Sequence, residues 1–423
     1  MAKKIITFIS LIVIILSFSS FSFATEAPNI DCPSAILIDA STGKILYEKN
    51  IHQKMYPASL TKILTAVLVL DNCSMEEIVT MSYNSVMSLE YGYVTANLEI
   101  GEELTVEQLL NLLMVSSAND VAIALAEHVS GSVEAFADLM NKKAEEIGCT
   151  ESHFTNSAGI HDENHYSTAY DLALIGKYAM KYDKIRELVR KTYYTLDATN
   201  KYSGTDRVYT TTNEILLKNN NNRQDNYYYK YATGMKTGFT SAAGYCLMCS
   251  SEKDNFCFIS VVLGGGQTKD GLSARYIDTK ALMEYGYSQY SLKQLAQKGN
   301  VIQTININNA TKETKKLDLI IDKDIFVTVP VENFNSAIDP QISLIDNLKA
   351  PIEKNAIVGE ITYSVDGIDY TANLLAANYV KPSRIILKFV ILLILITCII
   401  GFLRIKVLKE KRKRLSRIKK MGA

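Results

Sequence analysis

Apolar and polar positions divide this chain into stretches of different character. Ala35-Ile36-Leu37-Ile38 and Lys44-Ile45-Leu46-Tyr47 flank the turn Ser41-Thr42-Gly43, which predicts a β-hairpin over 34–48. After Pro57 the run Lys62-Ile63-Leu64-Thr65-Ala66-Val67-Leu68 reads as an apolar helix. Thr105-x-x-Gln108 fits a capping box ahead of the helix Leu109-Leu110-Asn111-Leu112-Leu113-Met114. A second helix is expected from Asp120 to His128, stopping at Gly131, with further helix around 133–147 and 168–191. The runs 244–250 and 256–263 around Glu252-Lys253-Asp254-Asn255 predict another hairpin, and a helix after Arg275 closes the region. Strands at both ends with helices between them predict an α/β (α+β) domain over 25–290, one sheet flanked by helices.

Beyond about residue 295 the helical pattern gives way to short β-like runs: Val301-Ile302-Gln303-Thr304-Ile305, Leu317-Asp318-Leu319-Ile320-Ile321, Ile325-Phe326-Val327-Thr328-Val329 and Ile361-Thr362-Tyr363. They predict a small all-β domain over 295–380, without a catalytic cluster, serving as a spacer or interaction module. The Asn-rich stretch Asn219–Asn222 predicts an exposed loop. The segment 385–403 is apolar except for Lys388 and Thr397; at about 19 residues it is long enough to cross a bilayer, and Lys388 can snorkel to the headgroups. Ten Lys/Arg follow from Arg404 to Lys420, which places the basic tail 404–423 in the cytoplasm by the positive-inside rule.

The N-terminus points the same way. Lys3 and Lys4 precede an apolar run from Ile5 to Leu16, and small residues lead to Ser22-Phe23-Ala24. This order predicts a secretory signal peptide over 1–24, cleaved after Ala24. An uncleaved anchor is the lesser alternative. Both ends therefore place 25–380 outside the cell membrane on a single-pass anchor in membrane lipid.

Composition, 48% apolar and 21% charged, is that of a globular protein. The formal net charge of zero hides an asymmetry: 13 Lys/Arg lie in 381–423, leaving 25–380 at about −14. An acidic ectodomain without a basic patch is unsuited to nucleic acid. Seven cysteines in a chain of 423 residues form no dense disulfide framework. Cys246 and Cys249 have the spacing of a redox or zinc pair, but they fall in a strand, where positions three apart face opposite ways; buried core thiols are expected.

The chemistry concentrates in three motifs. Ser59-Leu60-Thr61-Lys62 is an S-x-x-K, Ser117-Ala118-Asn119 an S-x-N and Lys236-Thr237-Gly238 a K-T-G. S-x-x-K recurs at Ser41, Ser250 and Ser416, and S-x-N at Ser82, yet only Ser59 opens an apolar helix. There the three-residue spacing brings Lys62 onto the face of Ser59. A serine hydroxyl is a poor nucleophile until a base takes its proton. Lysine serves as that base only where burial and nearby cations lower its pKa. Lys236 can supply such a cation, and Ser117 can pass a proton to a leaving amine. Thr237 offers a hydroxyl to a substrate carboxylate, and the N–H groups of Ser59 and Phe239 an oxyanion hole. Such a site needs no metal, cofactor or histidine. No G-x-S-x-G elbow is present. His161-Asp162-Glu163-Asn164-His165 reads as a polar loop, His52, His128 and His153 as isolated structural residues, and Gly264-Gly265-Gly266 as a turn.

Beyond the triplet, Tyr56-Pro57-Ala58-Ser59-Leu60-Thr61-Lys62, Gly234-Met235-Lys236-Thr237-Gly238 and His153-Phe154-Thr155-Asn156-Ser157-Ala158-Gly159 with His165-Tyr166-Ser167-Thr168-Ala169 resemble segments of the D-alanyl-D-alanine carboxypeptidases, the low-molecular-mass penicillin-binding proteins. The resemblance covers roughly 30–290 and continues more loosely to about 380. It implies a penicillin-binding, β-lactamase-like catalytic fold with an antiparallel sheet, an acyl-enzyme mechanism, peptidoglycan stems ending in D-Ala-D-Ala as substrate and β-lactams as covalent inhibitors. Carried over, Ser59 is the nucleophile, Lys62 the proton acceptor and Ser117 the relay. Asn119 and Lys236 organise the site, Thr237 and Gly238 belong to the substrate strand, and Arg275 falls where the family has a basic residue opening its closing helix. Phe239 departs from the family, many members having histidine there, and a true span with a basic tail departs from the amphipathic anchor of many members. A β-lactamase, a DD-endopeptidase or transpeptidase, and a non-catalytic wall or β-lactam receptor are the competing readings.

Overall fold

The helix that begins at Lys62 explains the centre of the catalytic unit. Its residues from Lys62 to Val69 are all buried, polar ones included, so it is an interior helix rather than an amphipathic surface one. The structure, a computed structural model, describes residues 27–218, 227–332, 338–383 and 385–421. The expected signal peptide and the Asn219–Asn222 loop lie outside the described residues.

The first unit comprises residues up to Ser291 with a short return at 330–332. Its strands are β1 (Ser34–Asp39), β2 (Ile45–Lys49), β3 (Ile78–Thr80), β4 (Glu103–Thr105), β5 (Tyr193–Leu196), β6 (Arg207–Thr210), β7 (Ala232–Thr240), β8 (Gly244–Lys253) and β9 (Phe256–Gly265). Five of these form an antiparallel sheet in the order β2-β1-β9-β8-β7. Both expected hairpins form: β1–β2 makes one edge of the sheet, β8–β9 lies in its interior, and the K-T-G strand β7 is the other edge. Every position of β1 is buried, which requires cover on both faces.

The helices are α1 (Lys62–Asn72), α2 (Tyr83–Met87), α3 (Val106–Val115), α4 (Asn119–Ser130), α5 (Val133–Ile147), α6 (Ala169–Ala179), α7 (Asp183–Val189) and α8 (Ala274–Gln289). Their ends follow the local chemistry. Thr105 and Gln108 form the reciprocal capping box that starts α3, and Gly131 in the left-handed region ends α4. Helix α8 packs on β8 and β9, and α6 on β9 and β1. Two details differ from expectation. The stretch 168–191 is two helices rather than one, broken where Tyr182 adopts an extended conformation ahead of α7, which lets Ile185 and Leu188 bury. Ser59 does not open an α-helix; it lies in a 3-10 turn, Ala58–Thr61, that leads into α1.

The second unit, described over 292–329 and 338–421, contains a five-stranded antiparallel sheet ordered β11-β12-β16-β15-β14. These strands are β11 (Val301–Asn306), β12 (Lys316–Ile321), β14 (Gln341–Leu344), β15 (Ile357–Val365) and β16 (Ile368–Ala376). Strands β10 (Tyr290–Ala296) and β13 (Ile325–Pro330) make a separate pair. Alternate residues of β12 and β16 are buried, and Leu317, Leu319, Ile321, Val327, Ile361 and Leu374 share one core. The last helix, α9 (Ile385–Met421), holds a segment from Lys388 to Arg417 long and apolar enough to cross a membrane. It does not stop at Leu403 but continues unbroken into the basic tail.

Candidate active site

The site is built where the N-terminal ends of two helices meet an edge strand. The turn Ala58–Thr61 presents Ser59, and Lys62 follows as the first residue of α1. Ser117 and Asn119 lie at the junction of α3 and α4, and the loop ending at Gly159 closes the far side of the Lys62 amine. Ala58 and Ser117 both adopt left-handed backbone conformations, φ +47° and +64°. These are strained positions for residues with a Cβ, held by the packing around them.

Lys62 is fully buried (0% exposed), and its Nζ makes three contacts: Ser59 Oγ at 2.9 Å, Asn119 Oδ1 at 2.7 Å and the Ala158 carbonyl at 2.7 Å. Its pKa lies well below the ordinary lysine value, first because of burial and then because of the Lys236 cation; the Asp120 carboxylate acts in the opposite direction. A neutral amine has two N–H donors and one lone pair. Carbonyl oxygens only accept, so the two donors go to Asn119 and Ala158 and the lone pair is left for the Ser59 hydroxyl, which donates to it. The Asn119 side chain is fixed in the required orientation, because its Nδ2 donates to the Val94 carbonyl at 3.0 Å.

Strand β7 comes unusually close to this turn. A Cβ on Gly238 would lie 2.9 Å from the Pro57 carbonyl and 3.2 Å from the Ser59 nitrogen. The glycine of K-T-G is thus dictated by close approach of the strand to the nucleophile turn. Because side chains alternate along a strand, Lys236 shares the face that Gly238 turns toward Ser59. Lys236 is 1% exposed and donates to the Thr237 carbonyl at 3.1 Å. Burial, then the Arg275 guanidinium, pulls its pKa down to about 7. Thr237 Oγ1 lies 2.6 Å from Thr212 Oγ1.

Gly159 makes the corresponding approach from the other side. Its φ is +78°, and a Cβ there would sit 1.9 Å from the Ala58 carbonyl oxygen. Behind the turn, His165 is buried, and burial lowers its pKa to about 4. Its Nδ1 accepts from the Thr155 N–H at 3.1 Å, so in the neutral ring Nε2 carries the proton and donates to Thr61 Oγ1 at 2.9 Å. His165 is therefore a latch on the nucleophile turn rather than a metal ligand. The other loop histidine, His161, packs edge-on against Tyr56.

Ser59, Ser117, Asn119, Thr237, Gly238, Phe239 and Arg275 all line one cleft of about 230 Å³. Lys62 and Lys236 are buried beside it, Lys62 through its bond to Ser59. Phe239 is 53% exposed and stacks on Tyr245 at 4.5 Å, forming an apolar wall. Arg275 donates to the Gly238 carbonyl at 3.3 Å and to Tyr276 OH at 3.1 Å, with its guanidinium over the Tyr245 and Tyr276 rings. Tyr93, Val94, Ile160 and Thr212 also line the cleft and were not singled out from sequence. They sit in irregular segments with no periodic signal. Cys246 and Cys249 are buried in β8 without access to the cleft, and burial raises the pKa of both.

Residues 21–267 match the family described as D-alanyl-D-alanine carboxypeptidase, and residues 290–382 that described as penicillin-binding protein 5, C-terminal domain. The chain is 30% identical over 376 residues to D-alanyl-D-alanine carboxypeptidase DacF of Bacillus subtilis, covering 86% of this chain and 91% of that one. Penicillin binding protein 5 from Haemophilus influenzae is similar in structure, with a TM-score of 0.64 at 29% identity over 84% of this chain and 98% of that one. A peptidoglycan synthesis regulatory factor (PBP3) from Streptococcus pneumoniae has a TM-score of 0.72 at 26% identity, over 84% and 100%. With the catalytic match spanning more than half of its length, the chain belongs to the D-alanyl-D-alanine carboxypeptidase family.

Proposed function

We propose that the protein releases the terminal D-alanine from peptidoglycan stem peptides ending in D-Ala-D-Ala, through an acyl-enzyme on Ser59. One observation carries the reading: the Lys62 amine lies 2.7 Å from Asn119 Oδ1, 2.7 Å from the Ala158 carbonyl and 2.9 Å from Ser59 Oγ, so that in its neutral form its two donors go to the first two and its lone pair faces the hydroxyl. Lys62 takes the hydroxyl proton as Ser59 attacks the carbonyl of the penultimate D-alanine. The N–H groups of Ser59 and Phe239 receive the developing oxyanion. Ser117 relays the proton to the nitrogen of the departing D-alanine, and water then attacks the ester along the reverse proton path. Thr237 and Arg275 bind the terminal carboxylate, Lys236 keeps Lys62 neutral, and Phe239 walls the pocket. A β-lactam that acylates Ser59 would be held as the same kind of ester.

The test uses the full chain in detergent with a pentapeptide ending in D-Ala-D-Ala. Expected are free D-alanine and, after incubation with penicillin, a single adduct mapped to the peptide containing Ser59. An adduct on another residue, or none, sinks the assignment. Persistence of the adduct for many minutes separates this reading from a β-lactamase, which would lose it within seconds.

A pH profile tests the role of Lys236. Removing a neighbouring cation stabilises the Lys62 ammonium and raises its pKa, so the pH at which Lys62 becomes a free base moves up. Lys236→Gln is expected to shift the ascending limb of kcat/KM to higher pH as well as lower its plateau. A lower plateau with an unmoved limb would restrict Lys236 to substrate binding.

The architecture extends the reading to the membrane. Residues 1–24 direct export, 25–290 act outside the cell, 295–380 serve as a spacer or interaction module, 385–403 span the lipid and 404–423 face the cytoplasm. The apolar segment of α9 and the basic residues that follow it support this orientation. An epitope fused to the C-terminus should be inaccessible in intact protoplasts and accessible after lysis; labelling before lysis reverses the topology.

A further inference from the structure

Far from the cleft, the opposite ends of the two catalytic helices converge on a second constellation. Cys73 is the C-cap of α1, whose first residue is Lys62. His128 lies in the last turn of α4, whose first residue is Asn119. Glu77 follows in the loop after α1, and the ligand atoms of Cys73, Glu77 and His128 all lie within 4.8 Å of one another. His128 is therefore not the isolated residue that sequence suggests.

We propose that Cys73, Glu77 and His128 bind a zinc-class divalent cation that clamps the C-terminal ends of α1 and α4 together. The donor set is thiolate, carboxylate and imidazole, which suits a borderline-soft ion, with water in a fourth position. His128 Nε2 and Glu77 Oε2 are already 3.1 Å apart. Ligands on a tetrahedral zinc stand about 3.3–3.8 Å from one another, so closure needs only side-chain adjustments. The loop carrying Glu77 is fixed in advance: Ser74 N–H donates to Glu77 Oε1 at 2.6 Å, leaving Oε2 for the ion, and the Glu77 carbonyl accepts from Val106 N–H at 2.9 Å. Both helices present their C-terminal ends here, where the unsatisfied carbonyls carry partial negative charge that favours a cation. The His128 and Glu77 side chains are 26% and 42% exposed, so an ion can enter from solvent. Binding exchanges the Cys73 thiol proton for the metal and releases it to water.

The probe is Co²⁺, then Zn²⁺, added to the reduced, chelator-treated full chain in detergent, carrying no histidine tag. Expected are one Co²⁺ per chain, a sulfur-to-cobalt charge-transfer band displaced by Zn²⁺, and a Tm that rises with Zn²⁺ concentration. Cys73→Ser should remove the band, and His128→Ala should weaken binding at least about 10-fold. Metal-free Cys73→Ser should acylate with penicillin at the wild-type rate, which shows that the fold is intact. The proposal is overturned if cobalt binding does not saturate at one per chain, or if the band survives Cys73→Ser. It is overturned equally if His128→Ala binds as tightly as wild type.

Discussion

Ser59→Ala is expected to lower kcat/KM for D-alanine release by roughly 10⁴-fold or more and to abolish covalent labelling by penicillin, while leaving the protein folded. The size follows from what is removed. Without Oγ no acyl-enzyme forms, and only substrate binding and the oxyanion donors remain to favour direct attack by water. The fold should tolerate the change, because Lys62 Nζ keeps Asn119 Oδ1 and the Ala158 carbonyl as partners. Lys62→Met should be nearly as inactive, since the hydroxyl then has no base. It should also be less stable, because two buried carbonyl oxygens lose their donor at roughly 1–3 kcal/mol each. Groups that act as one unit are not additive, so the double variant should be about as inactive as Ser59→Ala alone. D-alanine release and penicillin labelling are the measurements. Release by Ser59→Ala at the wild-type rate would remove Ser59 from the mechanism, and a double variant far below either single one would separate the pair.

The parts of this protein that were legible in its sequence are those whose cause is local. Thr105 and Gln108 announce a helix start because both capping bonds lie within one turn. The hairpins β1–β2 and β8–β9 are legible because short turns join runs of matching period. The two-stranded pieces β3–β4 and β5–β6 are not, since three or four residues carry too little pattern to distinguish from loop. The same division holds at the site. Ser59 and Lys62 are three residues apart, so their proximity follows from helical geometry. Nothing local says that Ala158 will accept from Lys62 across 96 positions, or Thr212 meet Thr237 across 25. Tyr93 and Val94 reach the cleft from a segment without period. Three motifs in order on different elements distinguish this chain from one with a bare serine motif, and the close approach of β7 to the nucleophile turn is why Gly238 must be glycine.

Gly159→Ala should be the most damaging single-methyl change outside the reacting groups. A Cβ at this position would sit 1.9 Å from the Ala58 carbonyl oxygen, 2.4 Å from its carbon and 2.9 Å from Thr61 Oγ1. Two of the three are backbone atoms, so no side chain can swing aside. The φ of +78° adds a penalty of about 1–2 kcal/mol for any residue with a Cβ. Relief must come from moving the turn Ala58–Thr61 or the loop at 158–160, and both end on Lys62, one through the chain and one through the Ala158 carbonyl. A total loss of about 3 kcal/mol lowers Tm by roughly 6–12 °C for a unit of this size. A displacement near 1 Å between Lys62 Nζ and Ser59 Oγ costs roughly 10²-fold in acylation. The variant should therefore show both effects below its Tm: a slower second-order rate of penicillin acylation and a lower melting temperature. Gly131→Ala is the control, because its φ is also positive, +82°, yet its Cβ would meet nothing within 4 Å. It should lose stability without losing acylation rate. If Gly159→Ala acylates as fast as Gly131→Ala, the close approach to Ala58 is not what sets the nucleophile in place.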